Sequence, residues 1–263
     1  MKLKLNARTA FLVVLLYLVL SILAALLAAV FFGGIDESET DRLIDGVIDS
    51  GMYGTIIVLI VLLFISIYVF KDSRRDIFFE RKPFYLSKLY YLFPLAWFGV
   101  TVVALLNVDY SAYSLGEILL ILLATLAIGA NEEIVTRGIL LIGLRNSGVT
   151  EWKAWLMTVA VFALLHLVNV LGGDSPTILL VTAAGGTLLY VARRTFNNLF
   201  VPIGLHALYD AAFFLLTGKY LVGESLLDGV LDLQLASFLV LLVATILFII
   251  FGRDIFRRET TGW

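Results

Sequence analysis

The sequence predicts an all-α membrane protein with about eight transmembrane helices and both termini on the cytosolic side. Three observations carry that reading. Hydrophobic residues make up 61% of the chain, charged residues only 15%, and the mean hydropathy is +1.00, far more apolar than a soluble domain of 263 residues. Apolar runs of about eighteen residues or more recur, each long enough to cross ~30 Å of hydrocarbon as a helix. The basic residues then sort to one side of the spans so defined.

The spans fall at 10–32, 52–70, 89–107, 114–144, 153–171, 177–193, 198–217 and 235–252. The first follows "MKLKLNAR" and exceeds the ~7–15-residue apolar region of a cleaved signal, so it is read as a retained anchor. "DESETDRLIDGVIDS", residues 36–50, is acidic, with Leu43, Ile44, Val47 and Ile48 at helical spacing, and is expected on the outer surface. "KDSRRDIFFERKPFY", residues 71–85, is basic with interleaved Phe and is expected as an interfacial helix held by anionic headgroups. The fourth run is too long for a simple crossing, so it must tilt, bend or extend into the cytosol. Trp152 and Trp155 open the fifth span where an aromatic belt would sit. Gly185 and Gly186 in the sixth permit close helix approach, and Pro202 shapes the start of the seventh.

With eight spans, the termini and the even-numbered loops take all of the 19 lysines and arginines except Arg42, Lys219 and Arg137. This is the pattern of a cytosolic face, and a missed span would scramble it. The chain is expected in the cell membrane as a multi-pass protein. It divides into accessory helices at 1–110, a core at 111–217, and an outer loop, last helix and tail at 218–263. Cysteine is absent, which removes disulfides, thiolate metal sites and cysteine nucleophiles. A net charge of −2 gives no basis for a nucleic-acid partner.

The informative residues are ionisable groups at depth, each costing ~2.5–3.5 kcal/mol at the centre of a spanning helix. They are Glu132, Glu133, Arg137, His166, His206 and Asp210, and they include both histidines of the chain. Glu132 lies thirteen residues before Arg145, His166 thirteen after Lys153, and His206 twelve after Arg194. At 1.5 Å per residue each sits roughly 18–20 Å above its nearest cytosolic charge. Three helices thus bring polar groups to one level. Glu133 and Arg137 are i,i+4 neighbours and can pair, while Glu132 points about 100° away towards a cavity. His206 and Asp210 share a face, as do Phe162 and His166, with Asn169 on the adjoining turn.

One carboxylate facing two imidazoles suits activation of a water molecule, with Glu132 as general base. The imidazoles and Asp210 could orient the water, stabilise an oxyanion or hold a metal. Glu132, His166, His206 and Asp210 are permitted zinc ligands, but no H-E-x-x-H run demands a metal, so a divalent ion such as zinc, or none, stays open. The absence of G-x-S-x-G weakens a serine-hydrolase reading.

At these residues the chain resembles the CAAX prenyl endopeptidase type II and bacteriocin-processing (CPBP, or Abi) intramembrane proteases. That family shows E-E-x-x-x-R, then F-x-x-x-H on the next helix, then H-x-x-x-N or H-x-x-x-D two helices later. Here these read "EEIVTR" (132–137), "FALLH" (162–166) and "HALYD" (206–210), and the likeness covers about 115–215. It implies hydrolysis of a peptide bond in a cavity between the fourth, fifth and seventh helices, open to the cytosol. The substrate would be a membrane-associated protein or peptide, lipidated or not. Glu132 would act on water with His166, Glu133 and Arg137 would be a supporting pair, and His206 with residue 210 would stabilise the oxyanion. The family is described both as metalloproteases and as metal-free glutamate proteases. An ionised Asp210 cannot donate to an oxyanion as Asn would, so it is protonated, orients His206 or binds a cation, which favours the metal slightly. The residues leave two rival readings: an ion- or proton-coupled transporter, though no internal repeat supports it, and a non-catalytic immunity protein that binds a peptide without cutting it.

Overall fold

The path of the chain is set by where its apolar helices start and stop. In the computed structural model, residues 3–32, 52–80, 88–171, 175–217 and 239–250 are described. The acidic segment 36–50 therefore lies outside the described residues. Helix α1, Ala7–Phe32, opens on a reciprocal pair: the Thr9 amide donates to Asn6 Oδ1 and the Asn6 amide to Thr9 Oγ1, both at 3.0 Å. Such pairs satisfy amides that a helix start leaves free. Helix α2, Met52–Phe64, runs on into a π turn, Ile65–Val69. The short α3 spans Arg74–Phe78 and α4 spans Leu92–Leu106.

Helix α5, Leu115–Glu133, begins with a full capping box between Ser114 and Glu117. It continues without a break through a seven-residue π segment, Ile134–Leu140, into α6, Leu141–Asn146. The expected over-long fourth span is thus a 32-residue continuous rod, Leu115–Asn146. Then come α7, Glu151–Leu165, and α8, Leu167–Leu171, parted at His166. Helix α9, Ile178–Phe196, ends where Asn197 adopts φ 57. It is followed by α10, Phe200–Thr217, and α11, Leu239–Ile250.

The protein is all-helical: among the described residues, extended pairing is limited to one bridge, Phe79 with Asn198. Three stretches, Ala7–Ala24, Leu115–Asn146 and Glu151–Leu171, are long and apolar enough to cross a membrane, and shorter apolar helices accompany them. Helix α9, at the sixth expected span, belongs to neither group. Every residue from Ala184 to Thr195 is buried, so this helix is clad by protein, which is why it can carry Gly, Thr and Arg. Outward faces are the reverse, with Leu106 79% and Leu171 81% exposed, as lipid-facing leucines should be. One apolar core joins Ala10 and Val13 of α1 and Val58 and Leu62 of α2 to Ile134, Ile139 and Leu141 on the long rod.

Arg145, Arg193 and Arg194, counted from the sequence among the cytosolic-side charges, are 3%, 0% and 1% exposed. Glu80 lies among them, with Oε2 3.0 Å from Arg145 Nη1 and 2.7 Å from Arg194 Nη1, and Oε1 3.1 Å from Arg193 Nε. Glu151 pairs with Arg145 through Nε at 2.8 Å and also through Nη2, and the Tyr190 hydroxyl donates to Glu151. Arg193 donates further to the carbonyls of Ile77 and Asp76, each at 2.8 Å. Helix α3 packs one face inward, where Ile77 is fully buried and the Leu199 amide donates to the Phe78 carbonyl at 2.8 Å, and leaves Arg74, Arg75 and Phe79 exposed. Residues 81–87 of that basic segment lie outside the described residues. Burial opposes ionisation of Glu80, but Arg145, Arg194 and Arg193 overcome it and hold the carboxyl at about 2.

Removing the Glu80 carboxylate leaves three guanidiniums with Glu151 as the carboxylate paired among them in the described cluster, and losing one member of a buried pair costs ~3–5 kcal/mol. Glu80→Ala is therefore expected to lower stability by about that amount, measured by unfolding in detergent. Because the folded carboxyl is depressed, its contribution is whole above the ordinary value of 4.5 and disappears as pH falls towards about 2. The stability gap between wild type and variant should stay constant from pH 8 to about 5 and close only below that range.

Candidate functional site

The polar groups meet because glycine lets two helices touch. A Cβ added at Gly129 would lie 3.0 Å from the Ala207 amide nitrogen and 3.3 Å from the Ile203 carbonyl. A bare Cα therefore lets α10 approach α5 without the backbone shift of a few tenths of an ångström that a side chain would require. One turn further along α5, that approach brings His206 Nδ1 to 3.2 Å from Glu133 Oε1.

Glu133 and Arg137 form the expected i,i+4 pair at 2.6 Å, both fully buried. The guanidinium is held from other directions as well. Nη1 also donates to Thr136 Oγ1 at 2.9 Å, and Nη2 donates to the Gly186 carbonyl of α9 at 2.9 Å. Its Cζ lies 4.1 Å from the centroid of the Phe162 ring, a cation–π distance. A buried charge is tolerable only with such pairing. Phe162, 3% exposed, also meets His166 and His206 edge-on, at 4.9 and 5.6 Å between centroids.

Helix α7 stops at His166, whose Nδ1 lies 2.9 Å from the Phe162 carbonyl. A carbonyl can only accept, so Nδ1 carries the proton, and a neutral ring then leaves the Nε2 lone pair free. That nitrogen faces Glu132 Oε2 at 3.9 Å, and His206 Nε2 faces the same oxygen at 3.8 Å. Asp210 Oδ2 lies 3.5 Å from His206 Nε2. Glu132 Oε2 is buried and has no hydrogen-bond partner among the described residues. Gaps of this size between polar atoms are those a single water bridges. The side chains of Glu132, His166 and Asp210 keep 14%, 16% and 21% exposure, so the site is reachable.

The structure thus draws Glu132, Glu133, Arg137, Phe162, His166, His206 and Asp210 together. Asn169 stands apart: it is exposed on α8, and its backbone amide donates to the His166 carbonyl at 3.1 Å. Among the described residues no group of three or more His, Asp or Glu side chains is arranged to hold a metal ion, although Glu132, His166, His206 and Asp210, which lie close together, are residue types zinc takes. Two contributors are not legible from the sequence pattern, Thr136 and the Gly186 carbonyl. The Gly185–Gly186 pair did signal close approach, but not to a guanidinium.

A family model described as type II CAAX prenyl endopeptidase Rce1-like matches residues 114–212. That stretch is similar to an Rce1-like domain. It starts at the N-cap of α5 and ends half a turn beyond Asp210, so the matched stretch contains every candidate site residue. Curated proteins and solved structures give no match to the chain. Two supports come from outside the domain: Glu80, which ties α3 to the ends of α6 and α9, and Thr55, whose carbonyl accepts from Asn131 Nδ2 at 2.9 Å.

A Cβ at Gly186 would lie 2.9 Å from Arg137 Nη2 and 3.0 Å from Phe162 Cδ1. Gly186→Ala is expected to destabilise the protein by ~1–3 kcal/mol, the usual cost of overpacking, in thermal unfolding. Gly204→Ala, where nothing lies within 4 Å of an added Cβ, serves as the near-neutral control.

Proposed function

We propose that this protein is an intramembrane endopeptidase that hydrolyses a peptide bond of a membrane-associated protein or peptide with a water molecule activated by Glu132. The observation that carries the reading is the unpartnered Glu132 Oε2, set 3.9 and 3.8 Å from the Nε2 atoms of the chain's two histidines. The match to an endopeptidase family over the segment holding these residues supports it.

A water between Glu132 and His166 gives one hydrogen to the carboxylate and the other to the His166 Nε2 lone pair. Its oxygen is then left directed at a substrate carbonyl. Glu132 removes a proton as the oxygen attacks, forming a tetrahedral oxyanion. His206, with a proton on Nε2, donates to that oxyanion, while Glu133 accepts from its Nδ1 and fixes the ring plane. Before the oxyanion forms, Asp210 orients His206 by accepting from the same Nε2, 3.5 Å from its Oδ2, the role an ionised carboxylate can fill where an amide would donate. Glu132 then returns its proton to the leaving nitrogen as the C–N bond breaks, giving a carboxylic acid and an amine, and the acid sheds its remaining proton to solvent. The chain sits in the cell membrane as a multi-pass protein, with eight spans and cytosolic termini, and the site opens to the cytosolic side. The family description points to prenylated CAAX C-termini; for this chain the substrate class is a membrane-associated peptide, lipidated or not.

The test is comparative membrane proteomics of cells carrying wild type or Glu132→Gln, followed by cleavage of the accumulated precursor by purified protein in liposomes. Glu132→Gln is expected to lower the rate by at least ~10²-fold, as loss of a general base does, with unfolding unchanged. Equal cleavage by both proteins would refute the reading. Exhaustive chelation is expected to leave cleavage intact. A loss restored by zinc would instead make these side chains ligands.

A further inference from the structure

Thr136 is buried, uncharged and outside the pairs that transfer protons, yet it lies between the two halves of the site. Its hydroxyl donates to the Glu132 carbonyl at 2.5 Å and accepts from Arg137 Nη1 at 2.9 Å. Threonine commonly bonds back to a carbonyl four residues earlier, and Thr101, Thr125, Thr182 and Thr187 all do so here. The hydroxyls of those four bond to backbone carbonyls, whereas Thr136 also receives a guanidinium. It also sits in the π segment, Ile134–Leu140, where every residue is buried. Widened turns of this kind interrupt the regular amide ladder and recur at functional sites.

We infer that Thr136 is a positioning residue that couples the Arg137 anchor to the backbone of Glu132. Arg137 is immobilised by Glu133, by the Gly186 carbonyl and by the Phe162 ring. Thr136 passes that immobility to Glu132, whose own carboxylate oxygen Oε2 has no protein hydrogen bond to hold it. The carboxylate can then remain open to water while its Cα is held in place. A group fixed through its main chain keeps its side chain free for proton transfer, and misplacement by about 1 Å is costly in such a site.

The inference rests on the proteolytic reading, and its test separates the two. Thr136→Val keeps shape and removes the hydroxyl; Thr136→Ser keeps the hydroxyl. In liposomes with the cleaved peptide, Thr136→Val is expected to lower kcat about tenfold, the worth of roughly one hydrogen bond, with KM unchanged and Thr136→Ser close to wild type. In detergent, amide exchange across Ile134–Leu140 should quicken in Thr136→Val and not in Thr136→Ser. Thermal unfolding confirms that each variant is folded. A Thr136→Val protein with wild-type kcat, while Glu132→Gln is inert, overturns the positioning role and spares the proteolytic reading. If wild type cleaves nothing, that reading fails, and exchange alone decides: equal protection in Val and Ser variants overturns the coupling, and loss in Val only upholds it.

Discussion

A guanidinium with no access to water governs the interior of this protein. Arg137 is fully buried, and desolvating such a group costs several kcal/mol unless its hydrogen bonds are replaced and its charge is paired. The replacements come from three helices: the Glu133 carboxylate and Thr136 hydroxyl of the long rod, the Gly186 carbonyl of α9, and the Phe162 ring of α7. Three of those groups also position something else. Glu133 accepts from His206, Phe162 packs on both imidazoles, and Thr136 bonds the Glu132 carbonyl. The demands of one cation therefore decide where the reactive groups stand.

A second charged centre fixes the other end of the same rod. Glu80 and Glu151 neutralise Arg145, Arg193 and Arg194 in a buried cluster joining α3, α6, α7 and α9. The two centres divide the work. The Glu80 cluster is nearly closed to solvent, whereas Glu132, His166 and Asp210 keep an open edge. Rigidity lies beneath the site and access above it, which suits a reaction that needs both ordered groups and a supply of water.

Much of this was readable from residue order. Helix placement followed from apolar run lengths, because lipid demands long uninterrupted helices. The pairing of Glu133 with Arg137 followed from i,i+4 spacing, and the divergence of Glu132 from a 100° step. The depth estimate reached a meeting of Glu132, His166 and His206 although two of its reference charges, Arg145 and Arg194, are buried. It depended only on rise per residue, and that survives whether the reference faces water or a carboxylate. The charge cluster itself was illegible, since positive-inside counting treats every arginine as solvated and Glu80 lies 65 residues from Arg145. Thr136 was illegible for another reason: a π turn carries no periodic signature, and a threonine beside an arginine looks like any helical residue.

The bond from Asn131 to the Thr55 carbonyl and the shared core of α1, α2 and the rod separate ancestry from autonomy. Likeness to a known family covers a stretch beginning at Ser114, but side chains that shield its innermost residues come from further upstream. A fragment cut at the boundary of likeness would bare Ile134 and Leu141 and leave the Asn131 amide without its acceptor. The recognisable module and the self-supporting one have different limits, and the second is larger.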